Sequence, residues 1–327
     1  MPGQPARVRR LFRLEIDASA GTPPKYRSGV DLEAAVGGDR HHAAMGEVFI
    51  GSEVVVHGGL TKSDLRRHRA IFRDVYVAKL GEPSLRDRTV GAWLWSRRRA
   101  IIAGVAASAL HGAQWVDADV RIELIAPNAR AQPGLMVRNE TLADDEITKV
   151  QRLPVTTPER TAYDLGRHQP RGQAVARLDA LMRATPFSLE DVLLLTKRYP
   201  GSRGLRQLRA ALPLIDGGAA SPRETWLRLL LIDAGLPAPT TQIPVLDGHR
   251  PVAFLDMGWE EFKVAAEYDG DQHRSDRRQY VKDIRRHEAV DDLGWYVVRV
   301  VSEDRPRDVI DRIYNALGRR GYRRDRR

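Results

Sequence analysis

The C-terminal third of the chain contains two stretches in which hydrophobic and polar residues alternate, residues 251–256 and 262–269. Successive side chains of a β-strand point to opposite faces, so each stretch predicts a strand, and a turn near Gly258 joins them. One face of the second strand carries Lys263, Ala265, Glu267 and Asp269, and the other carries Val264, Ala266 and Tyr268. The pattern therefore predicts a hairpin that brings together the carboxylates of Asp256, Glu267 and Asp269.

Carboxylates this close to one another are costly unless a cation neutralises them, and oxygen ligands of this kind suit Mg²⁺ or Mn²⁺. A solvent-exposed acidic edge of the hairpin fits the same spacing. The alternation by itself leaves both interpretations open.

The elements around this hairpin follow a simple order. Asp216-Gly-Gly-Ala-Ala predicts a flexible linker, and Ser221 with a glutamate three residues later predicts a capped helix that ends near residue 234. The remaining pattern predicts strands at 242–246, 252–256 and 262–269, a helix at 280–292, a strand at 295–301 and a helix at 307–317. We therefore expect a separate domain over residues 216–317, with the order helix, three strands, helix, strand, helix.

The N-terminal part has a different pattern. Residues 1–44 show no helical or strand period, which predicts a disordered segment or, if translation begins at Met45, an upstream extension. Residues 45–82 predict a helix at 53–57, a glycine turn, a basic helix at 62–68 and a strand at 72–77. This is the pattern of a winged helix, which places its second helix in the major groove of DNA.

On that interpretation Lys62, Arg66 and Arg67 contact DNA. A small helical cap whose basic side faces solvent is the alternative. Residues 83–215 predict a mixed α/β middle region that acts as scaffold, and the arginine-rich residues 318–327 predict a basic tail that contacts phosphates.

Composition narrows the class of protein. The 327 residues include 42% hydrophobic residues, enough for buried cores, and no cysteine, which excludes disulfides and thiolate zinc sites and favours the reducing cytoplasm. No apolar run approaches the roughly 20 residues that span a bilayer. A net charge of +10 favours a polyanionic partner, nucleic acid rather than membrane, although a protein that is merely basic has the same charge.

Three segments resemble the AbiEi-type antitoxins and transcription regulators of bacteria: Leu60–Arg66, Phe72–Val77 and Val155–Leu165. The resemblance extends over about residues 45–215. It implies a winged helix-turn-helix followed by a mixed α/β region, and a toxin is a possible partner. It implies no chemistry.

Five further segments, in family order, resemble the small nuclease domains similar to very-short-patch-repair (Vsr) endonucleases, within the PD-(D/E)XK superfamily. They are Ser221–Glu224, Leu255-Asp256, Glu267–His273, Asp283–Arg286 and Gly294–Arg299. The resemblance implies a restriction-endonuclease-like mixed sheet flanked by helices. It also implies a Mg²⁺ or Mn²⁺ site that hydrolyses phosphodiester bonds.

Carried over by position, the resemblance makes Asp256 and Glu267 metal ligands and Glu224 an outer or second metal contact. Asp269 stands where the superfamily pattern has a lysine, so His273 is the preferred general acid or base. Lys263 shares the face but lies roughly 13 Å from Glu267 at ~3.3 Å per residue.

Two of these residues have simpler roles open to them. Glu224 fits a helix cap, and Arg286 either orients a carboxylate or touches phosphate, or forms an exposed ion pair with Asp283.

The sequence thus predicts an α/β (α+β) protein that acts as a metal-dependent endonuclease or nickase on DNA. The alternative is a non-catalytic DNA-binding regulator or antitoxin-like protein with a degenerate nuclease fold. The sequence does not separate DNA from RNA as the partner.

Overall fold

The structure is a computed structural model that describes residues 48–78, 81–127, 130–270 and 277–323, with the side chains of residues 277–283 left out. Every described residue belongs to one compact unit, Ala43–Arg327. The described residues form both helices and three separate β-sheets, so the predicted α+β class is confirmed. No helix in the described ranges is long and apolar enough to cross a membrane.

The first sheet is formed by the most N-terminal described residues. Its elements are β1 (Phe49–Ile50), α1 (Gly51–Val56), a 3-10 turn (Asp64–Arg67), β2 (His68–Phe72) and β3 (Val75–Ala78). The strand order is β1-β3-β2, and both pairs are antiparallel. The predicted helix at 53–57 is close to α1.

The prediction of a basic helix at 62–68 is wrong. Thr61 and Asp64 bond each other through both backbone and hydroxyl groups, which closes a single turn, and His68 already pairs with Ala78 as a strand residue. The strand predicted at 72–77 is also interrupted, because Asp74 adopts the left-handed conformation (φ 62°) and turns the chain. Docking of a winged helix on DNA stays a prediction. The second helix that this docking requires is replaced by a 3-10 turn among the described residues.

The middle region contains a mixed five-stranded sheet of order β6-β5-β4-β8-β7 and a layer of helices. The strands are β4 (Ile101–Ala103), β5 (Ile122–Ile125), β6 (Leu135–Arg138), β7 (Ile147–Val150) and β8 (Leu153–Thr156). The helices are α2 (Leu85–Trp95), α3 (Gly104–Leu110), α4 (Pro158–His168), α5 (Arg171–Ala184), α6 (Leu189–Arg198) and α7 (Leu205–Ala211). Thr157 caps α4, and Pro158 occupies its first position.

The C-terminal region follows the predicted order of elements. It consists of α8 (Pro222–Asp233), β9 (Thr240–Asp247), β10 (Arg250–Trp259), β11 (Val264–Tyr268), α9 (Arg277–Asp292), β12 (Tyr296–Val300) and α10 (Pro306–Arg319). The sheet order is β12-β11-β10-β9, with β11 and β12 parallel and the other pairs antiparallel. A mixed sheet flanked by helices is therefore present over these residues.

Two hydrophobic clusters cover this sheet. One joins Val264 and Ala266 to α8 and α10, and the other joins Ala265 to Val290 of α9. The predicted alternation of faces is confirmed for Val264, Ala265 and Ala266, while Lys263 precedes the strand.

The linker predicted at 216–220 is instead a packed turn. The backbone N–H of Asp216 donates to Asp179 of α5, the Asp216 carboxylate accepts from Thr241 of β9, and a side chain on Gly218 would collide with the Thr241 hydroxyl. The glycines are needed for close approach of neighbouring segments rather than for flexibility.

The predicted basic tail begins inside ordered structure. Helix α10 continues to Arg319, and the Tyr322 ring packs edge-on against Phe262 with 5.7 Å between centroids. Residues 324–327 lie outside the described ranges.

Candidate active site

Asp256 in β10 acts electrostatically on two other carboxylates of the C-terminal region, Glu224 in the first turn of α8 and Glu267 in β11. Met257 pairs with Ala266 across the two antiparallel strands, so Asp256 and Glu267 fall opposite each other at the next position. The Tyr268 N–H donates a hydrogen bond to Asp256 Oδ2 at 2.9 Å, which links the two strands at this position.

Glu224 has the capping role that its spacing indicates. Its carboxylate accepts from the Ala220 N–H at 2.8 Å, and its own N–H donates to Ser221 Oγ at 3.2 Å. Glu224 is nevertheless only 7% exposed, and the charge of Asp256 contributes to raising its pKa. Capping and a place beside the other two carboxylates are therefore compatible.

The pKa of each of the three carboxylates is raised above its usual value. Burial raises the pKa of Glu224, Asp256 and Glu267, and the charge of Asp256 raises the pKa of Glu224 and of Glu267 further. Arg286 opposes this effect at Asp256 and Glu267. A buried group of mutually repelling carboxylates favours binding of a cation.

A divalent metal fits the chemistry of these donors. Within the described residues no group of three or more acidic, histidine or cysteine side chains is already arranged around one point. Mg²⁺, however, is commonly held by one or two carboxylates together with waters and substrate phosphates, so a complete protein cage is not required. Asp256 and Glu267 are the pair that would hold it, with Glu224 beside them.

Arg286 of α9 lies against this group. Its Nη1 is 3.5 Å from Glu267 Oε1, and its buried Nε has no hydrogen-bond partner among the described residues. This contact agrees with the predicted role of orienting a carboxylate, and contact with phosphate stays a prediction. The side chain of Asp283, its predicted ion-pair partner, lies outside the described residues.

The residues considered for the missing lysine are placed differently. Asp269 is exposed, its N–H donates to the Val300 carbonyl at 2.8 Å, and its charge further raises the pKa of Glu267. Lys263 precedes β11 in the left-handed conformation, and its ammonium donates to the Leu293 carbonyl at 3.0 Å, so it is directed away from the site. His273 lies outside the described residues.

The predicted DNA-contacting residues Lys62, Arg66 and Arg67 are exposed at the 3-10 turn. Arg67 Nη1 lies 3.8 Å from Asp64, a loose surface pair that leaves the guanidinium accessible.

A buried set of hydrogen bonds between the middle and C-terminal regions was not predicted from the sequence. Asp179 of α5 accepts hydrogen bonds from Thr225 at 2.8 Å and Arg228 at 2.7 Å, both in α8. Arg228 lies within the run Trp-Leu-Arg-Leu-Leu-Leu, and a charge within such a run is a signal of a buried partner.

Comparison with known proteins gives partial matches. Residues 100–214 match the AbiEi antitoxin C-terminal domain family. Two uncharacterised proteins from two strains of Mycobacterium tuberculosis are each 29% identical to this chain over 252 residues, which is 76% of this chain and 88% of the relative. No solved structure matches the chain.

Proposed function

We propose that this protein is a metal-dependent phosphodiesterase that cuts or nicks DNA at the site formed by Glu224, Asp256 and Glu267. The observation that supports the proposal is the electrostatic coupling of the half-buried Asp256 with the buried Glu224 and Glu267, each with a raised pKa, at a mixed sheet flanked by helices. Carboxylate donors of this kind, Mg²⁺ or Mn²⁺ and a phosphodiester substrate are chemically matched.

Each residue has a defined task in this proposal. A bound divalent ion supplies Lewis acidity and a more acidic water. Asp256 and Glu267 provide its protein ligands, and the Tyr268 N–H fixes the Asp256 carboxylate. Arg286 holds Glu267 in position and carries positive charge to the place where phosphoryl oxygens would lie. The net charge of +10 assists the approach of DNA.

The test is nicking of supercoiled plasmid by the full chain with Mg²⁺ or Mn²⁺. Asp256→Asn and Glu267→Gln remove a charge without changing size, and we expect each to lower the nicking rate by at least 100-fold. Glu261→Gln is the matched control, because Glu261 is exposed at the far end of the β10–β11 hairpin, and its rate should equal that of the wild type. Equal rates for all four proteins would assign the nicking to a contaminant.

A DNA-binding regulator without catalysis is the second candidate, and two observations favour it. Residues 100–214 match an antitoxin domain, and Asp269 replaces the lysine of the superfamily pattern. Metal-independent retardation of DNA by the full chain, with no nicking in Mg²⁺ or Mn²⁺, would select this candidate. A toxin partner belongs to the same alternative.

A further inference from the structure

A cavity of about 740 Å³ lies where the middle region meets the start of α8, and none of its lining residues belongs to the carboxylate site. Its wall is formed by the loop of residues 114–117, by residues of β5, by one side of α5 and by Pro222. We call it the Trp115 cavity. No role considered so far uses it.

Trp115 presents an exposed aromatic ring on this wall. Its backbone adopts the left-handed conformation (φ 62°), which is strained for a bulky residue. Two hydrogen bonds hold the residue there: its Nε1–H donates to the Ala220 carbonyl at 2.8 Å, and its own carbonyl accepts from Arg177. Trp115 is nevertheless 47% exposed. Because its one polar side-chain atom is already bonded, the surface that the indole offers to a ligand is its apolar ring.

Three glutamine side chains line the same cavity. Gln114 and Gln173 are exposed and Gln169 is half-buried, and their amides have no hydrogen-bond partner in the described part of the chain. An amide offers two donor hydrogens and an acceptor oxygen, which match the mixed donors and acceptors on the edge of a nucleobase. An exposed aromatic ring beside such amides is therefore suited to a planar, polar ligand.

The two arginines of the wall remain accessible to a ligand. Neither Arg121 nor Arg177 has a carboxylate within 4.0 Å in the described ranges. Arg121 is exposed, and the half-buried Arg177 forms one hydrogen bond, from Nη1 to the Trp115 carbonyl. Both guanidinium groups therefore keep donors for further contacts.

Two carboxylates of the wall balance this positive charge. Glu123 is 5% exposed and is paired with Arg138 at 2.6 Å, so it is already neutralised. Asp117 is exposed, and its charge opposes the lowering of the Arg177 pKa that burial causes. Charges of both signs on one wall favour a neutral polar ligand over a free anion.

The Trp115 cavity adjoins the carboxylate site through Ala220. The Ala220 carbonyl accepts from Trp115, and the Ala220 N–H donates to the Glu224 carboxylate at 2.8 Å. Arg183 is exposed beside this link, donates to the Gly218 carbonyl at 3.0 Å and acts on Glu224 through its charge. A strand bound at the carboxylates would have the cavity within reach of a neighbouring nucleotide, a placement that rests on the proposed function.

We propose that the Trp115 cavity binds a nucleobase, either of a free nucleoside or of an unpaired nucleotide in a strand. The base stacks on the Trp115 ring, and the amides of Gln169 and Gln173 donate to and accept from its edge. Arg121 binds an adjoining phosphate oxygen when the base belongs to a strand. The volume lies within the range of small-molecule sites, about 300–1,000 Å³.

The test is fluorescence anisotropy of the full chain in chelator, with a labelled single-stranded oligonucleotide and a labelled abasic oligonucleotide of the same length. The abasic probe keeps every phosphate and lacks every base. We expect wild-type protein to bind the complete strand at least about tenfold more tightly than the abasic probe, because the stacking contact is lost with the base. This comparison needs no variant.

Variants of Trp115 assign the effect to the cavity. Trp115→Gly removes the ring, and glycine adopts the left-handed conformation without steric cost, so we expect about tenfold weaker binding of the complete strand and unchanged binding of the abasic probe. Trp115→Phe loses the same bond to Ala220 but keeps a ring, so most of the affinity should be retained. Tyr296→Ala is the matched control, because Tyr296 is also 47% exposed and lies outside the cavity. Its affinity should equal that of the wild type.

Competition identifies the source of the base. Displacement of the labelled strand by free thymidine would support a nucleoside site, and displacement by unlabelled oligonucleotide alone would support a base presented by a strand. The proposal is overturned if the abasic probe binds as tightly as the complete strand, if Trp115→Gly binds the strand like the wild type, or if Trp115→Phe or Tyr296→Ala loses as much affinity as Trp115→Gly. Chelator removes divalent metal from every arm, so this result and the nicking result fail separately.

Discussion

Asp256 is a half-buried carboxylate that the surrounding protein compensates only in part. Its side chain accepts a hydrogen bond from the Tyr268 N–H, and Arg286 acts on it through charge, yet burial still raises its pKa. A carboxyl with a raised pKa in the folded state stabilises the protein at low pH, and this contribution is lost as pH rises through the folded-state pKa. Wild-type protein therefore carries an unfavourable charge at neutral pH in the absence of a cation.

We expect Asp256→Asn to increase the free energy of unfolding at pH 8 by on the order of 1 kcal/mol, because a half-buried charge is removed while the acceptor for Tyr268 remains. Near pH 4 the difference should be small. Urea unfolding in chelator at both pH values measures it.

Asp233→Asn is a control of opposite sign. Its bond to Arg171 lowers the pKa of Asp233, so the substitution should slightly decrease stability at pH 8. A decrease for Asp256→Asn at pH 8 as well would contradict the account.

Individual residues also show how much of the site can be predicted from the sequence. Alternation with a period of two places Glu267 and Asp269 on one face of a strand, with Asp256 one hairpin away, without any tertiary information. The position of Glu224 beside them depends on how α8 packs on the sheet, and capping alone explains its spacing. The contact of Arg286 with Glu267 similarly required the crossover helix α9 to be placed.

At the scale of elements, the packed turn at residues 216–220 sets the position of α8. Thr241 donates to the Asp216 carboxylate at 3.0 Å, and Gly218 leaves the space that this contact needs. Glycine-rich composition predicts a linker because a sequence does not distinguish a glycine chosen for flexibility from one chosen for close approach.

We expect Gly218→Ala to lower the free energy of unfolding by about 1–3 kcal/mol, because the added methyl group collides with the Thr241 hydroxyl. Gly172→Ala is the matched control: it lies in α5 with open space around it, and alanine should raise helix stability by up to about 1 kcal/mol. Thermal unfolding of both variants gives the comparison. Unchanged stability of Gly218→Ala would show that the turn is loosely packed.

The missing helix at 62–68 shows the opposite limit of sequence patterns. Its residues have acceptable helix propensity and a capping signal at Thr61, but strand pairing of His68–Phe72 with Val75–Ala78 takes its C-terminal end into a sheet. Tertiary pairing overrides local preference here. The position of the exposed basic residues at this turn is kept, while the helix that would present them is not.

At the scale of the whole molecule, the C-terminal sheet is fastened to the middle region. Asp179 joins α5 to α8 through Thr225 and Arg228, and Arg171 forms a second, exposed pair with Asp233 at 2.7 Å. Each of the three sheets lies within one of the three predicted domains, yet residues Ala43–Arg327 form one compact unit. The carboxylate site is thus held on the same body as the Trp115 cavity.

We propose that Asp256 and Glu267 hold one divalent metal ion. The most direct measurement is anomalous scattering from crystals of the full chain soaked in Mn²⁺. We expect one manganese peak within about 2.5 Å of a carboxylate oxygen of each residue, and loss of that peak in Asp256→Asn. Well-ordered Asp256 and Glu267 side chains with no peak between them, at a Mn²⁺ concentration that saturates the crystal, would contradict it.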